Sequence, residues 1–168
     1  MLDANRLFRD IMNSFLQSYS DNTFYVKRDL VWTVQTMLIH KIRNKGLDFQ
    51  VFNDFGILPG NRRKLSTDIA ILDKSGKVEV AIEFTYEPDH KRIDIPKNKF
   101  PVVFWGKEGV AKDIDRIQRF VNEAGALHAY AIFIDEGGHF RKREPHPGSL
   151  WLDWGDDTSV LWTEAHQG

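Results

Sequence analysis

Two acidic residues, Asp68 and Glu83, flank a short turn in the middle of the chain and could act together. Residues 68–72 are rich in β-branched side chains, and residues 78–85 alternate between apolar and other side chains, so both segments predict strands. If Ser75-Gly76 forms a two-residue hairpin loop, paired residues have a constant sum of residue numbers, and Asp68 faces Glu83. Directly opposed side chains lie on the same side of a sheet, with Cβ atoms about 4.5–5.5 Å apart.

Two carboxylates at this separation repel each other unless a positive charge lies between them. A hard divalent cation such as Mg²⁺ binds one or two carboxylates together with waters and substrate phosphates. The alternative is structural, with Asp68 beginning a strand and Glu83 pairing with a surface lysine. Glu83 lies beside Ala81 and Phe84 in an apolar strand, and a buried acid needs a partner. The pattern therefore leaves both interpretations open.

A predicted helix over residues 27–43 carries a narrow polar stripe formed by Asp29, Thr33, Thr36 and His40. Apolar side chains cover most of the remaining surface, which predicts a largely buried helix whose stripe faces water or a functional site. Asp29 either caps the start of the helix or contributes a third acid to the site, and both roles are compatible. His40 is interpreted as a solvated or core-edge histidine.

The order of predicted elements places these residues in one α/β domain spanning residues 1–168. A helix precedes the polar-striped one, three strands follow, and then come a helix, a strand and a loop-rich tail. The predicted ranges are 2–19 and 27–43 for helices, 48–55, 68–72 and 78–85 for strands, 102–105 for a further short strand, 111–124 for a helix and 127–134 for a strand. We expect a mixed sheet of four or five strands flanked by helices, with the order αα-βββ-α-β.

This order resembles the core of the PD-(D/E)XK, or restriction endonuclease-like, nuclease superfamily over residues 26–136. The residues that carry the resemblance are Asp29 in KRDLVWTVQ, Asp68 in STDIAIL and Glu83 in VEVAIEFTYEP. The resemblance implies that Asp68 and Glu83 bind Mg²⁺ and that Asp29 assists them. It also implies a lysine two residues after the glutamate, which orients or activates the attacking water.

Thr85 occupies the position of that lysine, and threonine supplies no positive charge. One interpretation is that Lys64, Lys91 or Lys97 reaches the site from a loop. The other is that the chain keeps the fold and has lost cleavage activity.

Basic residues that could bind DNA phosphates cluster in predicted loops, although the formal net charge of the chain is only −1. Lysine and arginine contacts to phosphates supply most nonspecific affinity for DNA. The alternative for each cluster is an ordinary solvated loop. The clusters are Arg62-Arg63-Lys64 before Asp68, Lys91-Arg92 and Lys97 with Lys99 after Glu83, and Arg141-Lys142-Arg143 in the tail.

The composition limits the remaining classes of function. The 168 residues contain no cysteine, which excludes disulfides, thiolate metal sites and a cysteine nucleophile. The N-terminal segment has no apolar signal region, so we expect a cytoplasmic protein with no membrane partner. The leading hypothesis is a Mg²⁺- or Mn²⁺-dependent endonuclease acting on DNA, with a homodimer as one possible assembly. The alternatives are a catalytically degenerate module that binds nucleic acid or protein, and an interaction domain whose acids are structural.

Overall fold

The computed structural model describes residues 2–58 and 65–168, which form three α-helices and six β-strands. The helices are α1 (Ala4–Ser18), α2 (Lys27–Lys45) and α3 (Val110–Asn122). The strands are β1 (Phe49–Leu58), β2 (Leu65–Asp73), β3 (Val78–Glu87), β4 (His128–Asp135), β5 (Ser149–Asp153) and β6 (Ser159–His166). Short 3₁₀ turns cover Tyr19–Asp21 and Lys97–Lys99.

All six strands belong to one mixed sheet in the order β1-β2-β3-β4-β6-β5. The first three strands form an antiparallel meander, β3 and β4 are parallel, and β6 and β5 continue the sheet antiparallel. The expected α/β class and element order are confirmed. The expected strand count was wrong, because the tail contributes two strands. The segment 102–105, expected as a strand, has no regular secondary structure.

The tail strands were missed because their pattern is weak. β5 has only five residues, none of them fully buried, and glycines and prolines surround it. Its side chains nevertheless find aromatic partners, since the ring of Trp151 stacks on that of Trp105 with centroids 5.8 Å apart. Aromatic packing of this kind stabilises a short edge strand that its local sequence does not predict.

Helices α1 and α2 pack on one face of the sheet and form its larger core. The Asp3 side chain accepts a hydrogen bond from the Arg6 N–H and caps the start of α1. α2 ends at Gly46, whose left-handed conformation (φ 59°) suits a residue without a Cβ. The apolar face of α1 is buried as its spacing predicts, through Ala4, Leu7, Phe8, Ile11, Met12 and Phe15.

α2 is more exposed than its sequence suggests. Five of its 19 residues are buried, and Trp32 is 66% exposed. Thr36 and His40 face solvent, so the expected polar stripe does not face a buried site. None of the helices, over the residues that the structure describes, combines the length and apolar character that a membrane span requires.

Helix α3 packs on the opposite face, where alanines on the strands let it approach closely. Ile117 and Phe120 are fully buried against Ala81 and Ala129, among others. Small side chains under bulky helix residues fill the interface without voids. Asp68, Glu83 and Thr85 alternate in step with these alanines, so they belong to the α3 side of the sheet.

The hairpin between β2 and β3 has the expected register, but its loop differs from the expected one and a bulge compensates for the difference. Asp73 and Lys77 are joined by a backbone hydrogen bond of 2.9 Å, so the loop has three residues rather than two. This shifts the register by one, and Leu72 pairs with Val78 instead of the expected Glu79. A bulge at Glu79 then restores the expected sum of residue numbers from Ile71–Val80 to Ile69–Ile82.

Candidate active site

Asp68 lies where β2 separates from β3, one position beyond the last ladder pair. Its Oδ2 accepts a hydrogen bond of 2.7 Å from the backbone N–H of Phe84. The neighbouring Thr67 donates its hydroxyl to the carbonyl of Ile82 at 2.9 Å. These side-chain bonds replace the backbone ladder and fix the Asp68 carboxylate next to the residue that follows Glu83.

The Glu83 carboxylate is buried and incompletely paired. The residue is 3% exposed, and its Oε1 has no hydrogen-bond partner among residues 2–58 and 65–168. Within the same residues, the Arg116 guanidinium on α3 forms an ion pair with it, with Nη1 at 3.8 Å from Oε1, beyond hydrogen-bond distance. Burial, followed by the charges of Asp68 and Asp113, raises the pKa of Glu83 well above its ordinary value. The fold thus keeps an acid where ionisation is costly.

Lys27, the first residue of α2, forms an ion pair with Asp68. Its Nζ donates to Asp68 Oδ1 at 3.1 Å. Burial alone would lower the pKa of Lys27, but the charges of Asp68, Glu83 and Asp113 outweigh this effect and raise it. Lys27 therefore remains protonated at neutral pH. The sequence had suggested no function for Lys27, because its partner Asp68 lies on a different element.

Thr85 and Asp113 complete the surroundings of the pair. Asp113, in the first turn of α3, accepts a hydrogen bond of 2.6 Å from the Thr85 hydroxyl. Burial raises the pKa of Asp113, while the Thr85 hydrogen bond and the charge of Lys27 oppose the rise. The sequence had suggested no function for Asp113 because it lies on a different element, 30 residues after Glu83.

Acidic groups outnumber basic groups at this site over the described residues. Three carboxyl groups, those of Asp68, Glu83 and Asp113, face two cations, Lys27 and Arg116. A divalent cation fits the excess of oxygen donors and the unpaired Glu83 Oε1. In the part of the chain that the structure describes, no group of three or more acidic or histidine side chains is arranged as a metal site. A Mg²⁺ site needs only one or two carboxylates, with waters and phosphates completing it.

Asp29 acts as a helix cap. Its Oδ2 accepts hydrogen bonds from the backbone N–H groups of Tyr25 (2.8 Å) and Val26 (3.2 Å). This arrangement satisfies donors that the first turn of α2 would leave free. The structure therefore supports the capping role that the sequence left open, and it gives no contact between Asp29 and the Asp68 or Glu83 carboxylates.

The expected basic rim is only partly in place. Arg62, Arg63 and Lys64 lie outside the described residues. Lys91 and Lys97 follow β3 and are exposed. Neither forms a hydrogen bond or an ion pair with Asp68 or Glu83.

Arg92, for which the sequence predicts a DNA contact, is hydrogen-bonded within the protein. Its guanidinium donates to Asp94 at 2.7 Å, to Glu136 at 3.2 Å and to the Tyr86 hydroxyl at 3.1 Å. These partners occupy most of its donors, and its side chain is only 16% exposed.

A second set of ionisable residues lies farther along β3, at the carboxyl ends of the two parallel strands. Glu87 pairs with Asp135 in the parallel register, and burial raises the pKa of both. His90 is hydrogen-bonded to Glu87, and its ring stacks on that of His139 with centroids 3.7 Å apart. The Asp135 carboxylate accepts backbone N–H groups of His139 (3.0 Å) and Phe140 (2.7 Å). Asp135 thus orders the loop that carries His139.

Comparison with known proteins gives no family: no protein-family model matches the chain, and no curated protein matches it significantly. The function is therefore inferred from the geometry around Asp68 and Glu83.

Proposed function

We propose that the protein is a divalent-metal-dependent phosphodiester hydrolase acting on DNA. The observation that carries this proposal is the buried Glu83 carboxylate beside Asp68, whose Oε1 has no hydrogen-bond partner in the described part of the chain, with the Lys27 ammonium on Oδ1 of Asp68. Buried carboxylates with perturbed pKa values cluster at functional sites. The resemblance to the PD-(D/E)XK superfamily supports the same assignment.

Asp68 and Glu83 are the residues that would hold the metal. Asp68 is oriented by the Phe84 N–H, and Glu83 is oriented by burial within β3. A bound divalent cation would lower the pKa of a water molecule and polarise the phosphoryl oxygens. Both carboxylates must be ionised to bind it, and the raised pKa of Glu83 means that metal binding releases a proton at low pH.

Lys27 takes the electrostatic role that Thr85 cannot fill. Because its pKa is raised, Lys27 stabilises negative charge that develops on the phosphate and does not act as a general base at neutral pH. Its side chain is 48% exposed, so it can turn from Asp68 toward a bound phosphate. Arg116, at 3.8 Å from Glu83, adds a second positive charge from α3.

A catalytically degenerate nuclease-like module is the second candidate. Thr85 favours it, because its hydroxyl is bound to Asp113 and provides no charge. The discriminating variant is Thr85→Lys. Cleavage gained only in this variant would indicate a degenerate site, whereas strong cleavage by the wild-type protein would exclude this candidate.

The proposal is tested by incubating plasmid and single-stranded DNA with the protein and Mg²⁺ or Mn²⁺. We expect cleavage by the wild-type protein and its loss in Asp68→Asn and Glu83→Gln. Glu79→Gln is the matched control, since Glu79 lies on the same strand at the bulge, away from the site. Equal cleavage by the wild-type protein and both site variants would remove the assignment.

A further inference from the structure

Two aromatic side chains at the start of α2 are exposed to solvent. Trp32 is 66% exposed and Tyr25 is 46% exposed. The indole ring of Trp32 stacks on no other aromatic ring of residues 2–58 and 65–168. Tryptophan is usually well buried, so one standing free on a helix with an aromatic neighbour indicates a binding surface.

These rings border an open groove of about 370 Å³. This volume lies within the range of about 300–1,000 Å³ that ligand pockets occupy. Besides Tyr25 and Trp32, the groove is lined by Arg28 and by small polar residues, among them Asn22, Thr23 and Thr33. The groove combines aromatic faces with one guanidinium and polar groups.

The charged side chains that line the groove are Arg28 and Asp29. Arg28 is exposed and forms no ion pair with any carboxylate in the described part of the chain. Asp29 also lines the groove, but its carboxylate is turned to the backbone N–H groups of Tyr25 and Val26. Arg92 lies over the ring of Tyr25, with its guanidinium carbon 5.4 Å from the ring centroid. A negatively charged ligand with a flat ring matches this surface.

The groove and the candidate active site both adjoin the N-terminal end of α2. Arg28 follows Lys27 directly, and Lys27 donates to Asp68. A strand whose phosphodiester lies at Asp68 and Glu83 would pass around this end of the helix to place a neighbouring nucleotide at Arg28 and Trp32. In a duplex the bases are stacked on each other and cannot contact the indole, whereas unpaired bases stack readily on aromatic side chains.

We infer that the groove formed by Tyr25, Arg28 and Trp32 binds an unpaired nucleotide, so that the substrate is single-stranded DNA or DNA with unpaired bases. This inference rests on the proposed function, since the groove is assigned to the strand that the site would cleave. Trp32 supplies the stacking surface and Arg28 the phosphate contact. Base stacking on an aromatic side chain distinguishes this groove from a nonspecific basic surface.

The test measures binding without cleavage, in full-length Glu83→Gln protein with chelator present. Fluorescence anisotropy compares a labelled oligo(dT) strand with a duplex of the same length. We expect the strand to bind more tightly than the duplex, and Trp32→Ala to weaken strand binding about tenfold. Trp32→Phe should retain part of the affinity. Leu150→Ala is the control, because Leu150 is 60% exposed on β5 at the far end of the sheet.

Unchanged strand affinity in Trp32→Ala, or an equal loss for the duplex, would overturn the inference. The binding and cleavage assays together distinguish an error in the groove assignment from an error in the proposed hydrolase activity. Metal-dependent cleavage that is lost in Asp68→Asn, together with binding that does not depend on Trp32, removes the groove alone. Trp32-dependent strand binding with no dependence of cleavage on Asp68 or Glu83 removes the catalytic assignment alone.

Discussion

Two glutamates at the same sheet have opposite surroundings. Glu136, just after β4, accepts hydrogen bonds on both oxygens: from the hydroxyls of Tyr19 and Tyr86 at 2.9 Å each, and from Arg92 at 3.2 Å. Glu83, in the middle of β3, has a buried oxygen that finds no hydrogen-bond partner among the residues the structure describes, and its ion pair with Arg116 spans 3.8 Å. The first carboxylate is satisfied by the fold, and the second is not.

The cations of the two regions differ in the same way. Arg92 is 16% exposed and spans four acceptor groups, including the carbonyl of Phe24. Lys27 is 48% exposed, and within the described residues its ammonium forms an ion pair with Asp68 alone. A planar guanidinium with fixed partners stabilises a fold, whereas a mobile ammonium can serve a ligand. We therefore propose that the Glu136 region stabilises the fold and that the Glu83 region is the functional region.

Removing the cation of the functional region should affect activity most. We expect Lys27→Met to lower the cleavage rate by about 100- to 1,000-fold, the loss typical of removing one group that stabilises a charged transition state. Lys27→Arg should retain more activity, since the charge is kept. Lys45→Met, at the exposed end of α2, is the control in single-turnover assays. A loss below threefold in Lys27→Met would show that Lys27 has no electrostatic role.

Removing the cation of the satisfied region should affect stability instead. We expect Arg92→Met to lower the free energy of unfolding by about 2–3 kcal/mol, because Glu136 and the Phe24 carbonyl lose a charged donor. The melting temperature should fall by roughly 4–12 °C. The control is Arg119→Met, because the pair of Arg119 with Glu123 is exposed and should contribute little to stability. Equal melting temperatures of the two variants would contradict the assignment.

Neutralising the unsatisfied carboxylate should stabilise the metal-free protein. Glu83→Gln removes the repulsion from Asp68 and Asp113, and we expect a gain of about 1 kcal/mol and a melting temperature about 2–4 °C higher. Thermal unfolding in chelator measures this gain while the cleavage assay shows the loss of activity. A destabilised Glu83→Gln protein would mean that the Glu83 charge is structural.

The same gain should depend on pH. The folded-state pKa of Glu83 is raised, so the folded protein holds this proton more tightly than the unfolded chain. As the pH rises through the raised pKa, the wild-type protein therefore loses the stability that comes from holding this proton. Glu83→Gln has no carboxyl group at this position and does not lose it. Urea unfolding at pH 5 and pH 8 should show the stability difference between the two proteins widening toward the higher pH. A constant difference would exclude ionisation of Glu83 as its cause.

The sequence predicted the pairing of β2 with β3 but not the turn that produces it. The expected pair Ala70–Ala81 is present, and the ladder extends to Ile69–Ile82, beside Asp68 and Glu83. The expected two-residue loop is wrong, because Gly76 adopts a left-handed conformation (φ 85°) in a three-residue loop. The bulge at Glu79 cancels the resulting shift. Hydrophobic alternation fixes which side chains face each core but does not indicate where a bulge absorbs one residue.

The remaining site residues could not be predicted from local pattern. Lys27 and Asp113 reach the carboxylates only because α2 and α3 pack on opposite faces of the sheet, which no spacing along the chain encodes. For Asp29, the sequence left open a third acid of the site or a cap of α2, and the structure shows the cap. Local rules identify strands and caps, while the composition of a site depends on tertiary packing.

The central claim is that Asp68 and Glu83 together bind a divalent cation. The direct measurement is anomalous diffraction from a crystal of the wild-type protein soaked in Mn²⁺, with Glu83→Gln treated identically. The account predicts one strong peak within about 2.0–2.6 Å of a carboxylate oxygen of each residue, absent or much weaker in Glu83→Gln. A wild-type map with no peak between these carboxylates, or the same peak in the variant, would contradict it.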